Sequence, residues 1–276
     1  MNYSKVVKKI VTEIIQDQLK PTMKYYAFDW DDNLMYMPTK IYLKDDEGES
    51  VGMSTEDFAE YRTEIGKEPF DYEGHTIVGF DDDAFRDFRV TGDKKFVSDS
   101  MKAPTGPAWS DFVEAVNNGS IFAIITARGH TPSVLKNAVY NLIKRNKHGL
   151  SEQELVKNLR KYREISDEEE LSDDELVRTY LEMCKYHPVS FGEGSAANPE
   201  ELKVAAMSEF MRYVKDLSQK LQEKAYLKNK ISNYFEPYIG FSDDDLKNVQ
   251  TMKKHFDDES GLDIYHTGGG VKTKFE

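Results

Sequence analysis

Three carboxylates and an amide crowd together at Asp29, Asp31, Asp32 and Asn33, directly after the aromatic, strand-forming run Tyr25-Tyr26-Ala27-Phe28. Carboxylates this close repel one another, so something positive must offset them: a divalent cation, a lysine, or both. Strand formers that stop at clustered acids suggest a buried strand delivering charge to a sheet edge, where open α/β folds bind ligands. Asp and Asn also favour turns, so the same residues can be read as a surface turn.

Two further segments repeat the design. Ser120 to Gly129 is an apolar run of strand type that ends in Thr126 and Arg128. Before it, Trp109, Phe112, Val113 and Val116 recur at helical spacing, and Asn117-Asn118-Gly119 closes that helix. After it, Thr131-Pro132 reads as an N-cap with proline at the first helical position. Helix, strand, helix is the rhythm of a parallel sheet with crossovers. Tyr238 to Asp245 is the third segment, ending in Asp243-Asp244-Asp245, with a helical pattern through Leu246, Val249, Met252 and Phe256. Two of three strands thus end in carboxylate clusters, more than ordinary turn composition supplies.

On these segments the chain resembles the haloacid dehalogenase-like (HAD) phosphohydrolases. Their first motif, an apolar strand ending in Asp-x-Asp, is matched by Asp29-Trp30-Asp31. The second, a strand ending in Thr or Ser, is matched by Ile124-Ile125-Thr126, and the fourth, a strand ending in acids, by Phe241-Ser242-Asp243-Asp244. The third is a lysine early in a helix. Lys203 fits best, because Asn198-Pro199 looks like an N-cap and first turn; Lys220 and Lys224 lie deeper in the same helical stretch. Asn33 stands where the family usually has Thr, a variant that still supports a tight turn. The chain is also similar to HAD-like proteins of large tailed phages.

The resemblance implies an α/β fold, a HAD-like Rossmannoid parallel sheet flanked by helices, with cap insertions after the first and second motifs. It implies a Mg²⁺-dependent phosphomonoester hydrolase, or another phosphoryl-transfer enzyme such as a mutase or a nucleic-acid end phosphatase, or a HAD-like binding protein without turnover. Asp29 would be the nucleophile and Asp31 the acid/base, which a binding module would not need. Thr126 and Lys203 would contact the phosphoryl oxygens, and Arg128 would touch substrate phosphate or pair with surface acids. Metal ligands would be Asp29, the Asp31 backbone carbonyl, Asp243, and Asp244 directly or through water. An all-oxygen set suits Mg²⁺.

Composition sets the surroundings. The chain has 276 residues and a net charge of -13, which argues against binding long nucleic acids but not nucleotides. A mean hydropathy of -0.66 and no apolar run of transmembrane length imply a soluble protein with no membrane partner. Lone Cys184, read as a buried small hydrophobe, fits a reducing cytoplasm, that of the host if the chain is phage-encoded. No Cys/His cluster suggests zinc.

The expected organisation is a core of residues 1–39, 109–145 and 187–276. A first insertion spans 40–108, with a helix near Thr55 to Ile65 and a strand at Thr76-Ile77-Val78. An acidic helical second insertion spans 146–186. From Glu164 to Glu175 it carries eight acids and no base, yet Ser151, Ser166 and Ser172 each precede a Glu at capping-box spacing. Residues 1–20 read as an amphipathic helix packed on the core. His187-Pro188 reads as the entry to a strand, and Asp81-Asp82-Asp83 as a polar turn or helix start. The Gly268-Gly269-Gly270 tract is not a phosphate loop, since no helix start follows it.

Overall fold

The computed structural model describes residues 23–166, 171–190, 198–229 and 237–276, so the helix expected over 1–20 lies outside the described residues. The chain opens with β1 (Met23–Phe28), β2 (Ile41–Asp45), β3 (Ser50–Met53), α1 (Thr55–Tyr61), β4 (Phe70–Tyr72) and β5 (His75–Phe80). It continues through α2 (Asp93–Ser100), α3 (Trp109–Asn117), β6 (Phe122–Thr126), α4 (Pro132–Lys144), α5 (Glu152–Ser166), α6 (Asp173–Met183) and β7 (Lys185–Pro188). The last part holds α7 (Pro199–Asn229), β8 (Pro237–Asp243), α8 (Leu246–His255), β9 (Leu262–His266) and β10 (Thr273–Lys274).

Six strands form one mixed sheet in the order β10-β9-β8-β1-β6-β7, parallel except for β10. The fold is α/β and Rossmann-like, with helices packed against a mostly parallel sheet. Every residue of β6 is buried, the continuous apolar run that a central parallel strand requires. Phe122 at its start packs edge-on against Phe112, Tyr180 and Tyr186, joining β6 to α3, α6 and β7. Strand order reverses beside β1: the chain places β6 and β7 on one side of it and β8 and β9 on the other. Crevices for ligands form at such switch points, beyond the carboxyl ends of the strands.

Residues 40–108 build a second sheet, antiparallel, in the order β3-β2-β5-β4, with a small core of its own around Ile41, Leu43, Met53 and Ile77. Four strands stand where the sequence reading has one. The expected helix stops at Tyr61, capped at its start by Ser54, whose side chain accepts from the Asp57 N–H. Asp81 sits in a turn, bonded to Ser50 and paired with Arg86 at 3.0 Å. In the 146–186 segment, α5 and α6 bury Leu155, Val156, Leu176, Val177, Tyr180 and Leu181 in the main core, beside α3 and α4. Ser172 makes both halves of its capping box, and Ser151 accepts from the Glu154 N–H. Ser166 ends α5, and Glu169 of its box lies outside the described residues. His187-Pro188 closes β7 and does not open a strand; β7 lies at the sheet edge, where a proline costs no ladder bond.

Candidate active site

β1 and β8 run in parallel with Phe28 beside Ser242, and the Asp29 N–H extends the ladder to the Ser242 carbonyl at 3.0 Å. The next residue on each strand is therefore an aspartate, Asp29 and Asp243, delivered side by side at the sheet edge. Both are buried, at 4 % and 0 % exposure. Lys203 lies between them, itself 2 % exposed, donating to Asp29 Oδ1 at 2.8 Å and Asp243 Oδ2 at 2.7 Å. Its helix starts as the sequence suggested, with the Asn198 side chain accepting from the Glu200 N–H and Pro199 as the first helical residue.

Asp243 Oδ1 accepts two further bonds, from the Asp245 N–H and the Asn248 side chain, each at 3.0 Å. Carboxylate oxygens of Asp29, Asp243 and Asp244 all lie within 4.8 Å of one another. Three carboxylates face one ammonium, leaving two negative charges when all are ionised. Burial opposes the Lys203 charge, but Asp243 and Asp29 outweigh it and hold Lys203 above the usual lysine range. Burial likewise pushes Asp29 up; Lys203 counters this, and the charges of Asp243 and Asp31 add to the rise. Asp244 is raised well above the ordinary carboxyl range by burial and by Asp243, Asp29 and Asp32.

The set suits one hard divalent cation. Oxygens on one octahedral Mg²⁺ lie about 3.0 Å apart when adjacent and about 4.2 Å apart when opposite, spacings that fall within the 4.8 Å spread of these three. The Asp31 carboxylate is outside this group, and its backbone carbonyl accepts from the Asn33 N–H at 2.6 Å.

A tight loop after β1 presents Asp31. Leu34 and Met35 N–H groups both turn back to the Trp30 carbonyl, and Asp32 adopts φ 54°, left-handed backbone that Asp tolerates better than most residues. Asn33 is fully buried and fixes the loop: its amide donates to the Asp29 carbonyl at 2.9 Å and Ser242 Oγ at 3.1 Å, and accepts from Thr267 Oγ1 at 2.9 Å. A threonine has no second donor for that task. Gly106 presses on the same loop so closely that a Cβ there would meet the Asn33 carbonyl oxygen at 2.5 Å.

Thr126 closes β6, buried, with its carbonyl taken by the Val189 N–H. Arg128 is not open to the cleft, and its acid partner is no surface residue. It is 1 % exposed and grips Asp31 with both arms, Nε to Oδ2 at 2.7 Å and Nη2 to Oδ1 at 2.5 Å. Remaining donors reach Thr39 Oγ1 at 2.6 Å and His130 Nε2 at 3.1 Å, and His130 Nδ1 meets Asp93 at 2.9 Å. Phe88 and Phe96 cover the guanidinium.

Arg62, which follows α1, pairs with Glu200 at 2.8 Å and Asp245 at 3.1 Å, tying the second sheet's segment to the two helices beside the acids. A cavity of about 680 Å³ opens here, lined by Asp244, by Glu56 and Glu60 of α1, by the start of α8, and by Gly268 to Gly270. Sequence reading did not single out Asn248, Thr39, Thr267 or Arg62. Asn248 had a local signal, its place in the first turn of the helix after the acids; the others are joined to the site only by long-range packing.

Compared with models of known families, with curated proteins and with solved structures, the chain matches none.

Replacing Lys203 by Met removes the only cation among the described residues that is bonded to the buried pair. Lys203→Met should cost about 3–5 kcal/mol of stability in chelator, as breaking a buried charge network does. Urea unfolding measures it, and an unchanged midpoint would show that Lys203 does not offset the acids.

Proposed function

We propose that the chain is a Mg²⁺-dependent phosphomonoester hydrolase of HAD-like type, working through an aspartyl-phosphate on Asp29. One observation carries this: Asp29 and Asp243 stand in register on neighbouring strands, bridged by buried Lys203, with Asp244 in the same cluster. A nucleophile, an electrostatic partner and a cation site meet at the topological switch point of the sheet.

Asp29, Asp243, Asp244 and the Asp31 carbonyl would hold the ion, which supplies the positive charge needed to admit a phosphate dianion to an acidic site. An Asp29 oxygen attacks phosphorus while the bond to the leaving oxygen breaks, and Asp31 gives that oxygen a proton. Asp31 then takes a proton from water as the water oxygen displaces Asp29 from phosphorus. Lys203 and Thr126 stabilise the phosphoryl oxygens in both displacements. Both Asp31 oxygens accept from Arg128. Each oxygen keeps a second lone pair with which Asp31 can act as acid or base, and Arg128 serves as its positioning residue.

Residues 40–108 act as a first-position cap, since Glu56, Glu60 and Arg62 come from it to the cavity and cluster. The described residues of the 146–186 segment, packed into the main core, lend none to the cavity lining. Substrates are small phosphorylated compounds, nucleotides included. No described helix is long and apolar enough to cross a membrane, and we place the protein in the cytoplasm.

A panel of phosphomonoesters assayed with Mg²⁺ and with chelator tests this function. Turnover should require the ion and vanish in Asp29→Asn with the fold intact by circular dichroism. Comparable activity in that variant would overturn the mechanism.

Binding of the ion should also release protons. Asp244, raised well above 3.8 by burial and its neighbouring acids, holds its proton to higher pH than a free carboxyl, and a cation must displace it there. Affinity should therefore rise with pH until the raised value is passed. In the metal-free protein Asp244 holds its proton to higher pH in the native state than in the unfolded one, so its own contribution to stability should fall as pH climbs above 3.8. Calorimetry of Mg²⁺ binding in buffers of different ionisation heat reads the protons released; identical heats would contradict the assignment.

A further inference from the structure

Arg128 orients Asp31, and Arg128 is directed in turn by residues beyond that pair. Thr39 Oγ1 accepts from its Nη2 at 2.6 Å, and His130 Nε2 from its Nη1 at 3.1 Å. A guanidinium only donates, so Nε2 presents a lone pair and the proton of the neutral ring sits on Nδ1. That N–H meets Asp93 Oδ1 at 2.9 Å. As a carboxylate Asp93 only accepts, so it selects this tautomer. The other would set one N–H against another and push the guanidinium away from Asp31. Asp93, His130, Arg128 and Asp31 thus form one directed chain of hydrogen bonds, with His130 wholly buried inside it.

The far end of this chain belongs to the first insertion. Asp93 opens α2, and residues 86–100, on the way back from the second sheet to the core, close on the loop after β6. The Gly129 N–H donates to the Phe88 carbonyl at 2.9 Å. Phe88 and Phe96 cover the Arg128 guanidinium at 4.8 and 4.7 Å, and Phe96 also packs on the His130 ring. Gly92 approaches so closely that a Cβ there would meet the Asp87 carbonyl oxygen at 3.0 Å and His130 Cε1 at 3.5 Å. With the guanidinium sealed from water, its direction rests on its bonds to Asp31, Thr39 and His130.

We propose that His130 and Asp93 are positioning residues for the acid/base Asp31, acting through Arg128, so that the returning arm of the first insertion sets how the acid is presented to the leaving oxygen. This rests on the hydrolase reading of the neighbouring acids.

The test compares propyl phosphate, whose leaving oxygen needs a proton, with p-nitrophenyl phosphate, whose leaving oxygen hardly does. Both are assayed in Mg²⁺ as kcat/KM, which covers the reaction up to loss of the leaving group. In His130→Met the value for propyl phosphate should fall by on the order of 10²-fold, the effect of misplacing a reacting group by about 1 Å, and that for p-nitrophenyl phosphate by less than about threefold. His130→Gln, whose side-chain oxygen can accept from Arg128, should recover most of the loss. Should His130→Met not fold, Asp93→Ala, at a half-exposed residue, carries the same comparison with a smaller effect in the same direction. An equal fall for both esters, or none, would overturn the inference and leave the hydrolase reading intact. If the wild-type protein hydrolyses neither ester, that reading fails, and hydrogen exchange of the Arg128 Nε–H decides whether the chain of bonds holds. Faster exchange in the variant, measured by NMR against the Ile124 amide of β6, would support it; an unchanged ratio would overturn it.

Discussion

Burial of Asp29 and Asp243 around Lys203 is the interaction on which the rest of the structure depends. Taking these charges out of water costs several kcal/mol per ion, and only short, saturated contacts recover it. Each neighbouring feature serves that end. The parallel register of β1 and β8 aligns the two acids. The Asn198 cap starts the helix that carries Lys203, and the first turn of α8 gives Asp243 two more donors. Asn33 pins the loop after β1 to both strands. With Asp244 added, the lysine no longer balances the acids, and that excess charge is what a divalent cation would offset in the function proposed.

A second network, on the other side of the loop, is built differently. Asp31 faces Arg128, whose guanidinium is buried between two phenylalanine rings and held by Thr39 and His130. Burial and the Arg128 charge hold His130 below the usual histidine range, against the pull of Asp93, so the ring is neutral at physiological pH. Asp31 thus has a fixed orientation and stands apart from the three acids clustered around Lys203. In the reaction proposed, this separation would let two carboxylates two residues apart take different parts.

The strand-end acids were legible because their signal is local: apolar strand residues stopping at Asp29 and at Asp243 appear in any window of ten. Lys203 was legible for a similar reason, since Asn198-Pro199 marks a helix start. Arg128 was visible as a residue but not in its role, because its partner Asp31 is 97 positions away. The same holds for Thr267, which reaches Asn33 across 234 positions. The β2–β3 hairpin carried a readable signal, with Ile41, Leu43 and Asp45 alternating inward and Gly48 at φ 84° in the turn. The reading of residues 40–108 took only Thr76 to Val78 as strand. The cavity had no sequence signature at all: Tyr36, Glu56 and Gly268 meet only through the packing of two sheets.

The covalent intermediate is the most direct test of the central claim. Wild-type protein turning over p-nitrophenyl phosphate in Mg²⁺ would be quenched in acid, reduced with borohydride and digested. Borohydride reduces an acyl phosphate to the alcohol, so the peptide spanning Tyr25 to Leu34 should carry homoserine at position 29. Homoserine at any other acid, or an unmodified Asp29 in protein quenched during turnover, would contradict the account.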